Sequence, residues 1–178
     1  MISSDSNGKK STGMIKIETE RLILKKLKRN DMQALILGIG EWEVAKWLSN
    51  VPHPYTENDA EDWLGIVAHQ ELNLNIFEHN ALVGGIGLEI NDHGCWELGY
   101  WLDRQHWQRG YAVEAAKGLL DYAAKELSIE KIEASHMKGN DASARVLKKL
   151  GFKAKGIGKV YSVARKEKVP CKTLVLEL

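Results

Sequence analysis

The chain has 178 residues, 44% of them hydrophobic and 28% charged, an ordinary globular composition for one domain or one domain with a tail. Lys and Arg number 25 against 24 Asp and Glu, so charge alone argues against a nucleic-acid or membrane-surface partner. Cys95 and Cys171 stand far apart without metal-ligand spacing and point to a reducing, cytoplasmic setting, and no apolar run has the length of a membrane span.

The opening "MISSDSNGKKSTG" has no apolar segment after its basic residues and does not read as a signal peptide. Its Ser, Gly and Lys content predicts a flexible tail over residues 1–13. The "GKKST" within it is not a phosphate-binding P-loop, because Lys10 separates Lys9 from Ser11 and no strand precedes it. "MIKIETERLILKKL" alternates and predicts one strand bent near Thr19. "NDMQALILGIG" predicts a short helix capped by Asn30 or Asp31 and stopped at Gly38, and "EWEVAKWLS" a second. "VPHPY" forces extended chain. In "TENDAEDWLGIVAHQEL", Thr56 caps a helix and Asp59 completes a near capping box. "LNLNIFEHNALVGGIGLEI" predicts a hairpin turning at His79–Asn80, and "CWELGYWL" a further strand.

"HWQRGYAVEAAKGLLDYAAKEL" then turns at Gly110 into a helix. Ala112, Ala115, Ala116, Leu119, Leu120, Ala123, Ala124 and Leu127 form its apolar stripe. "IEKIEASHM" predicts a strand, and "NDASARVLKKLGF" a helix capped by Asn140 or Asp141 and ended by Gly151. The remainder closes as a β-hairpin, and the order of elements predicts a mixed α/β domain.

The strand, the Gly110 loop and the helix can together bind an anion. The first N–H groups of a helix lack internal partners and carry about half a positive charge. Gly110 has no Cβ to keep a phosphate away, and Ala112 and Ala115 are small. The Ser/Thr and Lys that hold magnesium and a γ-phosphate are missing, so a cofactor's pyrophosphate is the better expectation than nucleotide hydrolysis. The competing reading is a simple turn glycine.

The segments "ELGYWLDRQHWQRGYAVEAAKGLLDYA" and "IEKIEASHMKGNDASARVLKKLGF" resemble the GNAT superfamily of N-acetyltransferases. "IETERLILKKL" and "VGGIGL" resemble its RimJ/RimL branch, which acetylates protein N-terminal amines. The resemblance covers residues 14–178. It implies a GNAT fold: a central mixed, mostly antiparallel twisted sheet with a splay between two neighbouring strands, flanked by helices. It also implies acetyl-CoA as co-substrate. The loop Trp107-Gln108-Arg109-Gly110-Tyr111-Ala112 matches the pyrophosphate loop, with Trp107 where the superfamily usually has Gln or Arg. Backbone groups of Tyr100, Trp101 and Leu102 would pair with the pantetheine arm as an added strand does. Asn140 and Ser143 match the Asn-x-x-Ser of the second cofactor-facing helix; without the resemblance they read as a helix cap and a solvent-facing residue. Arg109 either contacts phosphate or is an exposed loop arginine.

Acetyl transfer to an amine needs a proton acceptor, a donor for the oxyanion and protonation of the thiolate. Glu97, in an apolar strand beside the implied splay, is the candidate base, acting directly or through water, with burial raising its pKa. The alternative places it on the solvated face of an alternating strand. Glu133 is the second candidate, and the Tyr100 amide the expected oxyanion donor. Many GNAT enzymes carry a Tyr acid where this chain has Leu147, and Ser143 is the nearest replacement, by contact with the thiolate.

Trp42, Trp47, Trp63 and Tyr55 would wall the acceptor site, or else form core. His53, His79 and His136 stand isolated, and no residue set has metal spacing, so no metal is expected. The expected partner is an amine acceptor, a protein N-terminus or a small amine; a homodimer is compatible with the resemblance. The alternative from another class is a non-catalytic acyl-CoA-binding module, and intact polar groups at Glu97 and Ser143 favour the enzyme.

Overall fold

The first apolar segment does not run as one bent strand. In the computed structural model, which describes residues 15–178, it reverses into β1 (Ile17–Glu18) and β2 (Leu22–Lys25), paired antiparallel. Thr19 makes the reversal: its amide donates to the Leu22 carbonyl at 2.9 Å, and its hydroxyl accepts from the Leu22 amide at 3.1 Å. The tail expected over residues 1–13 lies outside the described residues.

A single 3-10 turn, Arg29–Asp31, leads into α1 (Met32–Gly40). The stop expected at Gly38 is absent: Gly38 is buried inside α1, because a Cβ there would stand 3.1 Å from the Trp101 ring. Packing against Trp101, and not a chain reversal, accounts for this glycine. The second helix is only α2 (Trp42–Ala45). α3 (Glu57–Val67) has the expected capping box, with the Thr56 amide donating to Asp59 Oδ2 at 2.7 Å.

β3 (Asn73–Glu78) and β4 (Ala81–Ile90) turn at His79–Asn80 as expected, and β5 (Trp96–Leu102) pairs antiparallel with β4 along its whole length. α4 (Tyr111–Leu127) crosses over to β6 (Lys131–Met137), and α5 (Asp141–Lys149) leads to the hairpin of β7 (Lys153–Ser162) and β8 (Glu167–Glu177). The eight strands form one sheet in the order β1-β2-β3-β4-β5-β6-β8-β7. Every neighbouring pair is antiparallel except β5 and β6, joined by the α4 crossover.

The main core lies on one face, where Leu74, Ile86, Leu98 and Ile132 meet Ala115, Leu119 and Ala123 of α4 and Leu147 of α5. Small residues on α4 let the helix lie close to the sheet, which positions its N-terminus beside the end of β5. A second cluster on the opposite face joins Met32, Leu35 and Ile39 of α1 to Ala60 of α3, with Trp101 and Leu82 against it.

The sheet is not continuous. β5 and β6 pair only through Glu97↔Glu133 and Leu98↔Ala134. Beyond Leu98, β5 stays with β4 to Leu102, while β6 stays with β8 to Met137. The strands therefore diverge from Gly99 onward.

Candidate active site

The loop between β5 and α4 is built by its own side chains. Asp103 Oδ1 accepts from the Gln105 amide at 3.1 Å, and the Trp107 indole donates to the Leu102 carbonyl at 2.9 Å. Trp107 thus folds the loop back on the end of β5. Gln108 and Gly110 have φ of 61° and 82°, and Gly110 is the N-cap of α4, which no side chain caps. The first-turn amides of Tyr111, Ala112 and Val113 are left for a ligand. Tyr111 and Ala112 turn their side chains into the protein, so only backbone faces outward there.

A clamp absent from the sequence reading holds this turn. Glu114 Oε1 accepts from the Thr19 hydroxyl and from the Arg21 amide, both at 2.7 Å, and Glu114 Oε2 accepts from Arg21 Nε at 2.7 Å. Arg21 Nη1 also donates to the Arg109 carbonyl at 3.0 Å, and its guanidinium lies 4.7 Å from the centre of the Tyr111 ring. Burial pushes the Glu114 carboxyl up, but the bonds from Thr19 and Arg21 outweigh it and hold the group below its usual range. A carboxylate so depressed stabilises the fold above its unfolded pKa, and that contribution disappears as pH falls through the folded value. Glu114→Ala should therefore lower stability at pH 7 by about 2 kcal/mol, or about 4–8 °C in Tm, and the loss should shrink in acid. Equal melting of the two proteins at pH 7 would remove the clamp from the account.

Of the three β5 residues expected to offer free backbone, only two face the gap. The Asp103 amide donates to the Val83 carbonyl at 2.9 Å, so by strand alternation the Trp101 peptide groups also turn toward β4. Trp101 contributes its ring to the α1 face instead. Tyr100 and Leu102 turn their peptide groups to the open side, but the Leu102 carbonyl is already taken by Trp107.

Across the gap, Asn140 caps α5: its side-chain oxygen accepts from the Ser143 amide at 3.1 Å. The cap reading of Asn140 thus holds. Ser143 does not face solvent alone, since its hydroxyl lies 2.8 Å from the Tyr100 hydroxyl. Leu147, one turn further on, is completely buried in the main core and offers no acid.

Glu97 is half-buried on the sheet face opposite α4, and its Oε2 accepts from Asn91 Nδ2 at 3.4 Å. Glu89 and Glu133 are its lateral neighbours on β4 and β6. Two residues along β5, Gly99 has no atom within 4 Å of the position a Cβ would take, so this stretch of the face is open. Glu133 differs from Glu97: it is 2% exposed and paired with Lys155. The Lys155 ammonium holds its carboxyl below the usual carboxylate range against the opposing effect of burial. Such a group is a poor proton acceptor at neutral pH.

The aromatic residues of the N-terminal helices do not form one wall. Tyr55 and Trp63 pack against the α1–α3 core, as the core reading has it. Trp42 is 42% exposed, with its ring centre 5.2 Å from that of His53. Trp47 reaches the loop after β6, 3.6 Å from where a Gly139 Cβ would stand. His53 Nδ1 lies 3.0 Å from the Gly40 carbonyl, His136 Nδ1 lies 3.2 Å from the Met137 carbonyl, and His79 occupies the β3–β4 turn. Among the described residues, no group of His, Cys, Asp or Glu is arranged to hold a metal ion.

Comparison with known proteins agrees with this geometry. Residues 21–153 match the family model described as an acetyltransferase (GNAT) domain. The chain is 30% identical over 157 residues to an uncharacterized N-acetyltransferase of Bacillus licheniformis, covering 83% of this chain and 87% of that protein. Its fold is similar to a GNAT-family acetyltransferase of Bacillus anthracis, with a TM-score of 0.79 at 24% identity, covering 92% of this chain and 98% of that one. It is also similar to Mycobacterium smegmatis RimJ, whose structure contains a CoA-disulfide, with a TM-score of 0.80 at 17% identity over 92% of this chain and 88% of that one. The divergence of β5 from β6, the glycine-started helix α4 and a match spanning most of the chain lead to one conclusion: this protein belongs to the GNAT family of N-acetyltransferases.

Proposed function

We propose that this N-acetyltransferase carries the acetyl group of acetyl-CoA directly to a primary amine, with a protein N-terminal amine as the favoured acceptor. One observation carries the reading: the β5–β6 ladder ends at Leu98, so Glu97, the Tyr100 amide and the approach to α4 border one gap. GNAT acetyltransferases use acetyl-CoA, which supplies an activated thioester. The residues here fit it. An uncapped helix start with glycine at φ 82° suits a pyrophosphate, and the outward peptide groups of Tyr100 and the Leu102 amide suit a pantetheine arm. In this reading Gln108, Arg109, Gly110, Tyr111 and Ala112 hold the phosphates mainly through backbone, and Trp107 braces the loop.

Glu97 takes the proton of the attacking amine, directly or through water, because Glu133 is committed to Lys155. The Tyr100 amide, the first that faces the gap beyond the last β5–β6 pair, holds the developing oxyanion. For the acceptor, the open face at Gly99 leaves room for a peptide backbone to lie along β5. The similarity to RimJ, and to a RimL described as a ribosomal L7/L12 alpha-N-protein acetyltransferase, favours a peptide amine. A cytoplasmic setting suits such an acceptor; among the described residues no helix is long and apolar enough to cross a membrane.

The test is a screen of peptides with free N-termini and of small amines against acetyl-CoA, following free thiol release. Acetylated peptide N-termini are the expected result. Transfer confined to small amines would move the acceptor class, and thiol release no faster with any amine than without would overturn the reading. Binding is separately measurable. Acetyl-CoA at one hundred times its Kd should stabilise the protein by about 2.7 kcal/mol, whereas ATP and NAD should leave Tm unchanged. A comparable shift with ATP would count against the loop assignment.

A further inference from the structure

A tyrosine hydroxyl from β5 reaches the serine at the start of α5. Tyr100 Oη lies 2.8 Å from Ser143 Oγ and 3.4 Å from the Ser143 carbonyl. Tyr100 stands on β5 two residues beyond the last β5–β6 pair, and Ser143 in the first turn of α5, the helix that follows β6. The contact therefore spans the gap between the diverging strands. Building on the acyl-transfer reading above, we propose that Tyr100 is a positioning residue whose hydroxyl donates to Ser143 Oγ and so frees the Ser143 proton to point at the sulfur of the leaving CoA.

The argument rests on proton counting. A serine hydroxyl has one proton and can accept two hydrogen bonds. A serine in a helix can turn that proton back to the carbonyl three or four residues earlier, which for Ser143 is that of Asn140 or Gly139. A donor seated on its oxygen favours the opposite arrangement: the oxygen accepts, and the proton is available outward. Two hydroxyls in series also polarise one another, which strengthens the terminal donor. Burial pushes the Tyr100 hydroxyl up to about 12, with Ser143 opposing, so tyrosine stays protonated and keeps donating through the working range. It is therefore not the acid. As the C–N bond forms and the C–S bond breaks, the electron pair goes to sulfur. The proton of the amine goes to Glu97 and then to solvent, and the thiolate takes its proton from solvent. Ser143 and Tyr100 contribute hydrogen bonds only and end the cycle unchanged.

The experiment is a pH titration of CoA bound to the protein, read by the ultraviolet absorbance of its thiolate, which requires no turnover. In the wild type the bound thiol should ionise at lower pH than free CoA. Tyr100→Phe should move that ionisation back toward the free value, Ser143→Ala should do the same, and the double variant should go no further than Ser143→Ala alone. In parallel, Tyr100→Phe should lower kcat about tenfold, with KM for acetyl-CoA little changed and the shape of the Glu97-dependent pH profile retained. Melting curves check that each variant folds. Three results would overturn the proposal: a wild-type thiol that ionises as in free CoA, fully additive effects of the two substitutions, or a Tyr100→Phe variant that loses CoA affinity with the thiol ionisation unmoved. The last would mean that the ring only fills the gap. A wild type that binds no CoA would instead remove the acyl-transfer reading itself, and this positioning role with it.

Discussion

Glu97→Gln is expected to lower kcat by about 10²–10⁴-fold, the range typical of a general base, while leaving the affinity for acetyl-CoA nearly unchanged. The glutamine oxygen can still accept from Asn91, which now donates to Glu97 Oε2 at 3.4 Å, so the local structure has no reason to collapse. The loss should shrink at high pH. An amine already neutral in solution no longer needs a carboxylate to take its proton, and the variant's rate should rise toward the wild type as that fraction grows. Ser143→Ala should show no such rescue, because a contact to the leaving sulfur does not depend on amine protonation. The measurement is kcat/KM against pH for both variants and the wild type with one active acceptor. If Glu97→Gln follows the wild-type profile throughout, the base lies elsewhere, and Glu133, freed from Lys155 by substrate or reached through a water chain, is the next residue to test.

Gly110→Val is expected to weaken acetyl-CoA binding at least about tenfold while the protein still folds. Gly110 has φ of 82°, and a β-branched residue there costs about 1–2 kcal/mol from its own backbone. A Cβ alone would stand 3.5 Å from Arg21 Nη2, ordinary contact, but the two methyl groups of valine add bulk beside the guanidinium that ties the loop to the β1–β2 turn. If the loop relaxes to relieve this, the first-turn amides of α4 lose their aim. If it does not, two methyl groups stand where a phosphate must approach. Either way the loss falls on the cofactor, and 1.4 kcal/mol is already a factor of ten. Calorimetry with acetyl-CoA measures it, and unchanged affinity would end the assignment of this loop. Gly110→Ala should fall between, since it brings the strain without the bulk.

The split between what was legible in the chain and what was not follows the range of the interactions. Most local signals were reliable. The Thr56 capping box, the Asn140 cap, the His79–Asn80 turn and the α4 stripe each depend on residues within a few positions of one another. Gly110 was legible as a helix start for the same reason, since a left-handed residue followed by an alanine-rich run is a local pattern. Glu97 was legible as a polar residue in an apolar strand, though not its difference from Glu133. Both are carboxylates at strand positions, and only the fold seats Lys155 on one of them. The Gly38 stop failed because the partner of that glycine, Trp101, comes from another element, while the bent strand is an exception to the rule of range, since the Thr19–Leu22 bonds that reverse the chain are local.

By itself, then, the sequence determined the kinds and order of the elements from α1 onward, the mixed α/β class and the glycine that opens α4, because hydrophobic periodicity and capping act over one or two turns of chain. Tertiary structure alone decided where β5 leaves β6, that Trp101 turns its peptide groups away from the gap, that Arg21 and Glu114 clamp the loop from 93 residues apart, and that the Tyr100 hydroxyl meets Ser143 from 43 residues away. Contacts at such separations carry no periodicity along the chain. They exist only once the sheet has set its order and α4 and α5 have packed on it, so the residues that tune this site come together only in the folded protein.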